Sequence, residues 1–114
     1  FFDIKRRALM PLSDAARVLI LSHAVKSISN TPERFEKLAE LEPQNRELYL
    51  SCAYSYKALL KFRTKQGLLH NDSGQYIALE HLTKLEKIKL KSTFKTIKEL
   101  QEIISIRFNP SNIL

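Results

Sequence analysis

Apolar residues recur at steps of three and four along most of this chain, the spacing of helices that each bury one face. The first such stretch opens near Ser13, a good N-cap residue, with Asp14 in the first turn where negative charge suits the helix dipole. Ala15, Ala16, Val18, Leu19 and Leu21 carry it to about Ile28. A restart follows at Asn30-Thr31-Pro32-Glu33: Thr31 is expected to cap, Pro32 to take the first helical position and Glu33 to sit in the first turn. Glu42-Pro43 ends this short helix.

A long helix is predicted from about Pro43 to Leu69, with Leu48, Cys52, Tyr56, Leu59, Phe62 and Leu69 on its buried face. Tyr49, Ala53 and Leu60 widen that stripe. Residues 70–80 contain Asn71, Asp72, Ser73 and Gly74, all turn formers, and read as a connection. The last helix opens on Thr83-Lys84-Leu85-Glu86, a capping box in which Thr83 and Glu86 satisfy each other's free amides. Leu90, Phe94, Ile97, Ile104 and Phe108 follow at helical spacing up to Asn109-Pro110. The prediction is therefore an all-α antiparallel bundle of four main helices, two long and two shorter.

Composition agrees with that class. Two glycines and four prolines are few for an all-β protein, and 114 residues suit one domain. No apolar run reaches the roughly 18 residues that a membrane span needs. The lone cysteine, Cys52, excludes an internal disulfide and suits a reducing, cytoplasmic setting. Because the chain begins with Phe1 and shows no leader pattern, it reads as a piece of a longer protein.

Charge adds a direction. Lys and Arg number 19 against 12 Asp and Glu, a net +7, which admits nucleotides, nucleic acid, acidic proteins or anionic lipid as partners. The excess lies in the second half: residues 57–65 hold Lys57, Lys61, Arg63 and Lys65 with no acid, and the last helix is rich in lysine. That lysine face reads as solvated surface, because aromatic or Arg groups interleaved for nucleic-acid binding are missing from it.

Catalytic constellations are absent from the sequence. The three aspartates, Asp3, Asp14 and Asp72, are scattered, so no Asp-x-Asp pair exists to hold Mg²⁺. Gly67 and Gly74 cannot make a phosphate-cradling glycine motif. His23, His70 and His81 lack metal-ligand spacing, and Cys52 reads as a packing residue. Asn71 to Gly74 places its glycine wrongly for a calcium loop. Arg63 is the distinctive cation: beside Phe62 on the edge of the buried stripe, it needs a partner. An internal carboxylate such as Glu33 or Asp14, or an anionic ligand, would serve. Arg17 and Arg34, early in their helices, carry the same ambiguity.

Several segments together carry a resemblance. Asp3-Ile4-Lys5-Arg6-Arg7-Ala8-Leu9-Met10-Pro11-Leu12 with Asp14-Ala15-Ala16-Arg17 forms the first. Asn30-Thr31-Pro32-Glu33-Arg34-Phe35 is the second, and Leu60-Lys61-Phe62-Arg63 with Asn71-Asp72-Ser73-Gly74-Gln75-Tyr76-Ile77 the third. Leu82-Thr83-Lys84-Leu85-Glu86 and the Leu90 to Ile97 run complete them. In this order they resemble the nucleotidyltransferase substrate-binding domain family, over nearly the whole chain. The resemblance implies a helical C-terminal domain of a cytoplasmic bacterial protein. Upstream it implies a cyclic-nucleotide-binding or CBS sensor and a catalytic domain like that of PII uridylyltransferase, which would carry the Gly-Ser and Asp-x-Asp residues. Mg²⁺ and a nucleoside triphosphate are implied for that parent, and no cofactor for this piece.

Carried over position by position, the resemblance nominates Lys5, Arg17, Thr31, Arg34 and Arg63 as contacts to nucleotide or acceptor. The chain departs from the commoner pattern at Thr64-Lys65-Gln66-Gly67, so no ligand role is carried beyond Arg63. The first expectation is thus an accessory binding domain, inactive alone. A docking module coupling sensor to catalytic domain is the alternative, marked by an exposed apolar patch such as Tyr49, Tyr54 and Ile103. Nucleic-acid binding through the Lys84 to Lys98 face is the third and weakest reading.

Overall fold

The computed structural model describes residues 1–109, which form four α-helices and one two-stranded pairing. The chain opens with strand β1 (Phe2–Asp3), passes through a π-helical turn (Lys5–Leu9) and enters α1 (Met10–Ser22). Helix α2 (Thr31–Leu41) and a 3₁₀ turn (Pro43–Asn45) lead into α3 (Arg46–His70). Strand β2 (Tyr76–Ile77) and a second 3₁₀ turn (Leu79–His81) precede α4 (Lys84–Arg107). The all-α bundle expected from the sequence is the architecture observed.

Its boundaries differ from expectation in instructive ways. Ser13 caps nothing, because the helical path already begins at Ile4. Asp3 starts it by accepting the Arg6 amide at 3.0 Å, and the Met10 amide reaches back five residues to the Lys5 carbonyl. Pro11 supplies the reason: it has no N–H for the Arg7 carbonyl and its ring crowds that group, so the turn before it widens.

At its other end α1 stops at Ser22, not near Ile28. Val25 donates its amide to the Ile20 carbonyl (3.4 Å) and Ala24 to that of Leu21 (2.9 Å). Ala24 sits at φ 59 between them. Together these make a Schellman stop with alanine where glycine is usual, and the half-buried Val25 packs on the core.

Helix α2 is capped one residue earlier than expected. Asn30, not Thr31, accepts the Glu33 amide through its side chain at 2.9 Å. Asn is at least as good a cap as Thr, and Pro32 is tolerated anywhere among the first free amides. Helix α4 carries the predicted capping box, with Thr83 and Glu86 exchanging bonds of 2.9 and 3.1 Å. It ends at Arg107; Pro110, read as its stop, lies outside the described residues.

The core gathers Ile4, Leu12, Leu19, Ile20, Phe35 and Leu38 with Tyr49, Cys52 and Leu100, all essentially inaccessible. Along α3 the buried face runs through Tyr49, Cys52, Ala53, Ser55 and Leu59 to Gln66 and Gly67. Leu48, Tyr56 and Phe62 flank it, whereas Leu60 and Leu69, read as core, are exposed. On α4 the deepest positions are Thr93, Ile97 and Leu100, with Leu90, Phe94 and Ile104 partly buried and Phe108 exposed. Leu60 lies one position from the buried Leu59, a rotation that periodicity alone resolves poorly, whereas Leu69 is in the last turn of α3 and Phe108 follows the last residue of α4, where the helices run out of the core.

Candidate functional site

Two ends of the bundle carry its polar organisation. At the first, the segment after α3 folds back and pairs with the N-terminus: Phe2 opposes Ile77 and Asp3 opposes Tyr76 in antiparallel register. The Ile4 amide donates to the Gln75 carbonyl (2.9 Å), and Gln75 Nε2 donates to both Asp3 oxygens at 3.2 Å. The connection expected over 70–80 is therefore an ordered return that closes β1 against β2.

The chain's only two glycines make this return possible. Asn71 ends α3 in the left-handed conformation (φ 53), and Gly74 takes φ 69 while donating its amide to the Asp72 carboxylate at 2.7 Å. A Cβ on Gly74 would overlap the Arg63 carbonyl oxygen and come within 2.9 Å of the Gly67 nitrogen. A Cβ on Gly67 would come within 2.7 Å of the Asp72 carbonyl oxygen. Backbone thus lies directly on backbone, an approach that side chains forbid.

Arg63 locks the same contact. Its Nε donates to the Ser73 carbonyl at 3.1 Å. Neither Glu33 nor Asp14, the carboxylates considered from the sequence, is its partner; a main-chain oxygen is. Among the described residues its two Nη nitrogens make no hydrogen bond to protein. The exposed Lys5, with Arg6 and Arg7, lies on the π-helical turn that follows β1, so Lys5 and Arg63 belong to the same end of the molecule. Arg7 also stands over the Phe2 ring, 5.5 Å from its centroid.

The remaining candidates do not join them. Arg17 is exposed and pairs with Asp14 at 3.1 Å on its own helix. Arg34 donates Nε to the Ile28 carbonyl at 2.9 Å, fixing the segment before α2. Thr31 is buried at the start of α2. Among the described residues no hydrogen bond runs from Arg17, Thr31 or Arg34 to Lys5 or Arg63.

The opposite end holds a cluster that the sequence did not disclose. Glu42, only 4% exposed, sits between α2 and α3. Its carboxylate accepts from Tyr49 Oη (2.7 Å), Asn45 Nδ2 (3.2 Å) and His23 Nε2 (2.7 Å), and bidentately from Arg107 (2.6 and 2.9 Å). The residue after α1, the end of α2, the first turn of α3 and the last residue of α4 are thereby tied to one group. Arg107 foremost, helped by the other donors, holds the Glu42 carboxyl at about 2 against an ordinary 4.5. Burial, and then the Glu42 bond, push the Tyr49 hydroxyl up to about 12. In the sequence Glu42 looked like nothing more than the residue before a helix-breaking proline. Its partners lie up to 65 residues away, and no local pattern announces them.

With its acceptor positions filled, Glu42 has no free lone pair to act as a base. The aspartates are likewise engaged separately, Asp3 with Arg6 and Gln75, Asp14 with Arg17, and Asp72 with Gly74. Among the described residues no group of three His, Cys, Asp or Glu could hold a metal ion. None of their helices is long and apolar enough to cross a membrane.

The Tyr49, Tyr54 and Ile103 patch considered from the sequence does not form, because Tyr49 is wholly buried under Phe35. Tyr54 is exposed, and so are Leu60, Leu68 and Leu69 further along α3. No curated protein and no solved structure matches the chain. A family model, however, matches residues 1–108, and its span takes in both the Gly67–Gly74 return and the Glu42 cluster. The chain belongs to the family described as "Putative nucleotidyltransferase substrate binding domain".

Proposed function

We propose that this chain is the accessory substrate-holding domain of a multidomain nucleotidyltransferase, inactive alone. An upstream domain resembling that of PII uridylyltransferase would supply the catalytic carboxylates, Mg²⁺ and the triphosphate site, under a cyclic-nucleotide or CBS sensor in a cytoplasmic signalling protein. Here Arg63 and Lys5 form the cationic wall that this chain contributes to a shared cleft. The observation that carries the reading is the guanidinium of Arg63. Its Nε is fixed on Ser73, which aims the planar fork while leaving the Nη donors for a phosphate or carboxylate. Arg34 is a secondary candidate, held in the same manner by the Ile28 carbonyl. Arg17, paired with Asp14, and the buried Thr31 contribute to folding on this reading.

The test is Arg63→Ala and Arg63→Lys in the full-length protein. Loss of a charge-assisted hydrogen bond, about 1.5–3 kcal/mol, corresponds to a substrate affinity lower by roughly 10- to 100-fold. Helicity should be retained. Unchanged affinity and transfer in a folded Arg63→Ala protein would remove Arg63 from the site.

A second reading, a docking module that couples sensor to catalytic domain, is favoured by one observation: Leu68 is 80% exposed on the outer face of α3. Under it, Leu68→Asp would uncouple the sensor's effect on transfer without changing nucleotide affinity.

A further inference from the structure

Helix α3 is apolar on both of its sides. Toward the bundle it presents Tyr49, Cys52 and Leu59. On the opposite face Leu50, Tyr54, Lys57, Lys61, Thr64 and Leu68 follow one another at alternating steps of four and three, and every one of them is exposed. That is the 3.5-residue spacing by which one helix lies along another. A helix that met only water on this side would carry polar residues all along it. Instead Tyr54 is 73% and Leu68 80% exposed, with Leu50 near the first and Leu69 next to the second.

The line also has a charge order. Its two ends are apolar, and its middle is cationic: Lys57 and Lys61 stand one turn apart, in a stretch from 57 to 65 that holds no acid. Lys57 reaches Glu36 at 3.3 Å, with both side chains half exposed, a contact worth little in water. Lys61 has no ion pair among the described residues. Both apolar ends open onto depressions. One of ≈ 510 Å³ lies between α2 and α3 against Leu50, Ala53 and Tyr54, and one of ≈ 570 Å³ lies over Leu60, Thr64, Leu68 and Leu69.

This order selects the occupant. Two copies of the chain paired antiparallel, Leu50 against Leu68, would set Lys57 against Lys61 twice, and a parallel pairing would set each lysine against itself. A lipid surface favours lysines at the rim of an apolar stripe. Here they interrupt it, so the apolar ends cannot sink without them. Resting on the docking reading, we infer that the outward face of α3 receives an amphipathic helix of another domain or protein whose middle is acidic. Its apolar ends seat at Leu50–Tyr54 and at Leu68, and two carboxylates one turn apart meet Lys57 and Lys61. The contact runs about 27 Å from Leu50 to Leu68 by helical rise.

The experiment is fluorescence-anisotropy titration of this chain with stapled synthetic helices. One carries leucines toward both ends and two glutamates one turn apart between them; in the other, lysines replace the glutamates. The chain is compared as wild type, Leu68→Gln, Lys57→Glu/Lys61→Glu and, as a control of equal net charge, Lys95→Glu/Lys98→Glu on α4. All these positions are exposed, and each variant is checked for an unchanged melting curve. The glutamate helix is expected to bind wild type and the α4 control alike. It should bind Leu68→Gln and the α3 charge variant about tenfold more weakly, and the α3 variant should instead prefer the lysine helix.

Absence of binding by the glutamate helix would overturn the inference. So would an equal loss in the α4 control, which would mean that net charge alone attracts the helix. Self-association in sedimentation equilibrium that Leu68→Gln abolishes would assign the face to a second copy, and Leu68-dependent binding to phosphatidylglycerol vesicles would assign it to lipid; either overturns it. The docking reading is judged separately, from Leu68→Asp in the full-length protein. Uncoupling there without a charge preference here would sink the acidic partner and leave docking standing.

Discussion

Replacing Glu42 by Gln should destabilise the fold at neutral pH and remove most of its sensitivity to acid. Glu42 is depressed in the folded state to about 2 from an ordinary 4.5. A depressed carboxyl contributes stability above its unfolded value, and that stability drains away as pH falls through the folded value. The window is therefore from about 4.5 down to about 2. The difference, 4.5 minus about 2, at about 1.36 kcal/mol per pH unit, is about 3 kcal/mol. That agrees with the roughly 3–5 kcal/mol lost when one partner of a buried pair is removed, and it is a sizeable share of the roughly 5–15 kcal/mol that holds a domain together.

Gln preserves the shape and can still accept from Tyr49, but it leaves the Arg107 guanidinium half-buried without its anion. Urea denaturation of wild type and Glu42→Gln at intervals from pH 7 to pH 2 measures both effects. The variant should lose about 3–5 kcal/mol at pH 7 and show a shallower acid limb. A loss below about 0.5 kcal/mol, within the usual range for surface changes, would refute the role given to Glu42. Parallel acid limbs in the two proteins would refute it equally.

The same cluster predicts an alkaline limb. Tyr49 is raised from 10.0 to about 12, so its contribution is present below 10 and lost as pH climbs toward 12; absorbance at the phenolate band should follow unfolding. Gly74→Ala should cost more than the roughly 1–2 kcal/mol of a left-handed residue, because the added carbon also meets the Arg63 carbonyl; a melting curve within a degree of wild type would contradict it. Ala24→Gly, at φ 59, should stabilise by about 0.5–1 kcal/mol once the freer unfolded glycine is allowed for, raising Tm by several degrees. Cys52, pushed up to about 12 chiefly by burial, should resist iodoacetamide in the native protein and react at the rate of unfolding.

What could be read from the sequence was what depends on neighbours. The Thr83–Glu86 capping box, the restart around Asn30 to Glu33 and the four-helix count rest on residues three or four apart, whose geometry helical period dictates. Where Ser13 and Ile28 failed as boundaries, the deciding groups were still local, Pro11 and the Ile20 to Val25 turn, but their conformations were unusual ones. Glu42 and Arg63 failed differently. Glu42 was legible only as the residue before a helix-breaking proline and Arg63 only as a cation wanting a partner, and the partners, Arg107 and the Ser73 carbonyl, are supplied by the way α3 and α4 return on the bundle.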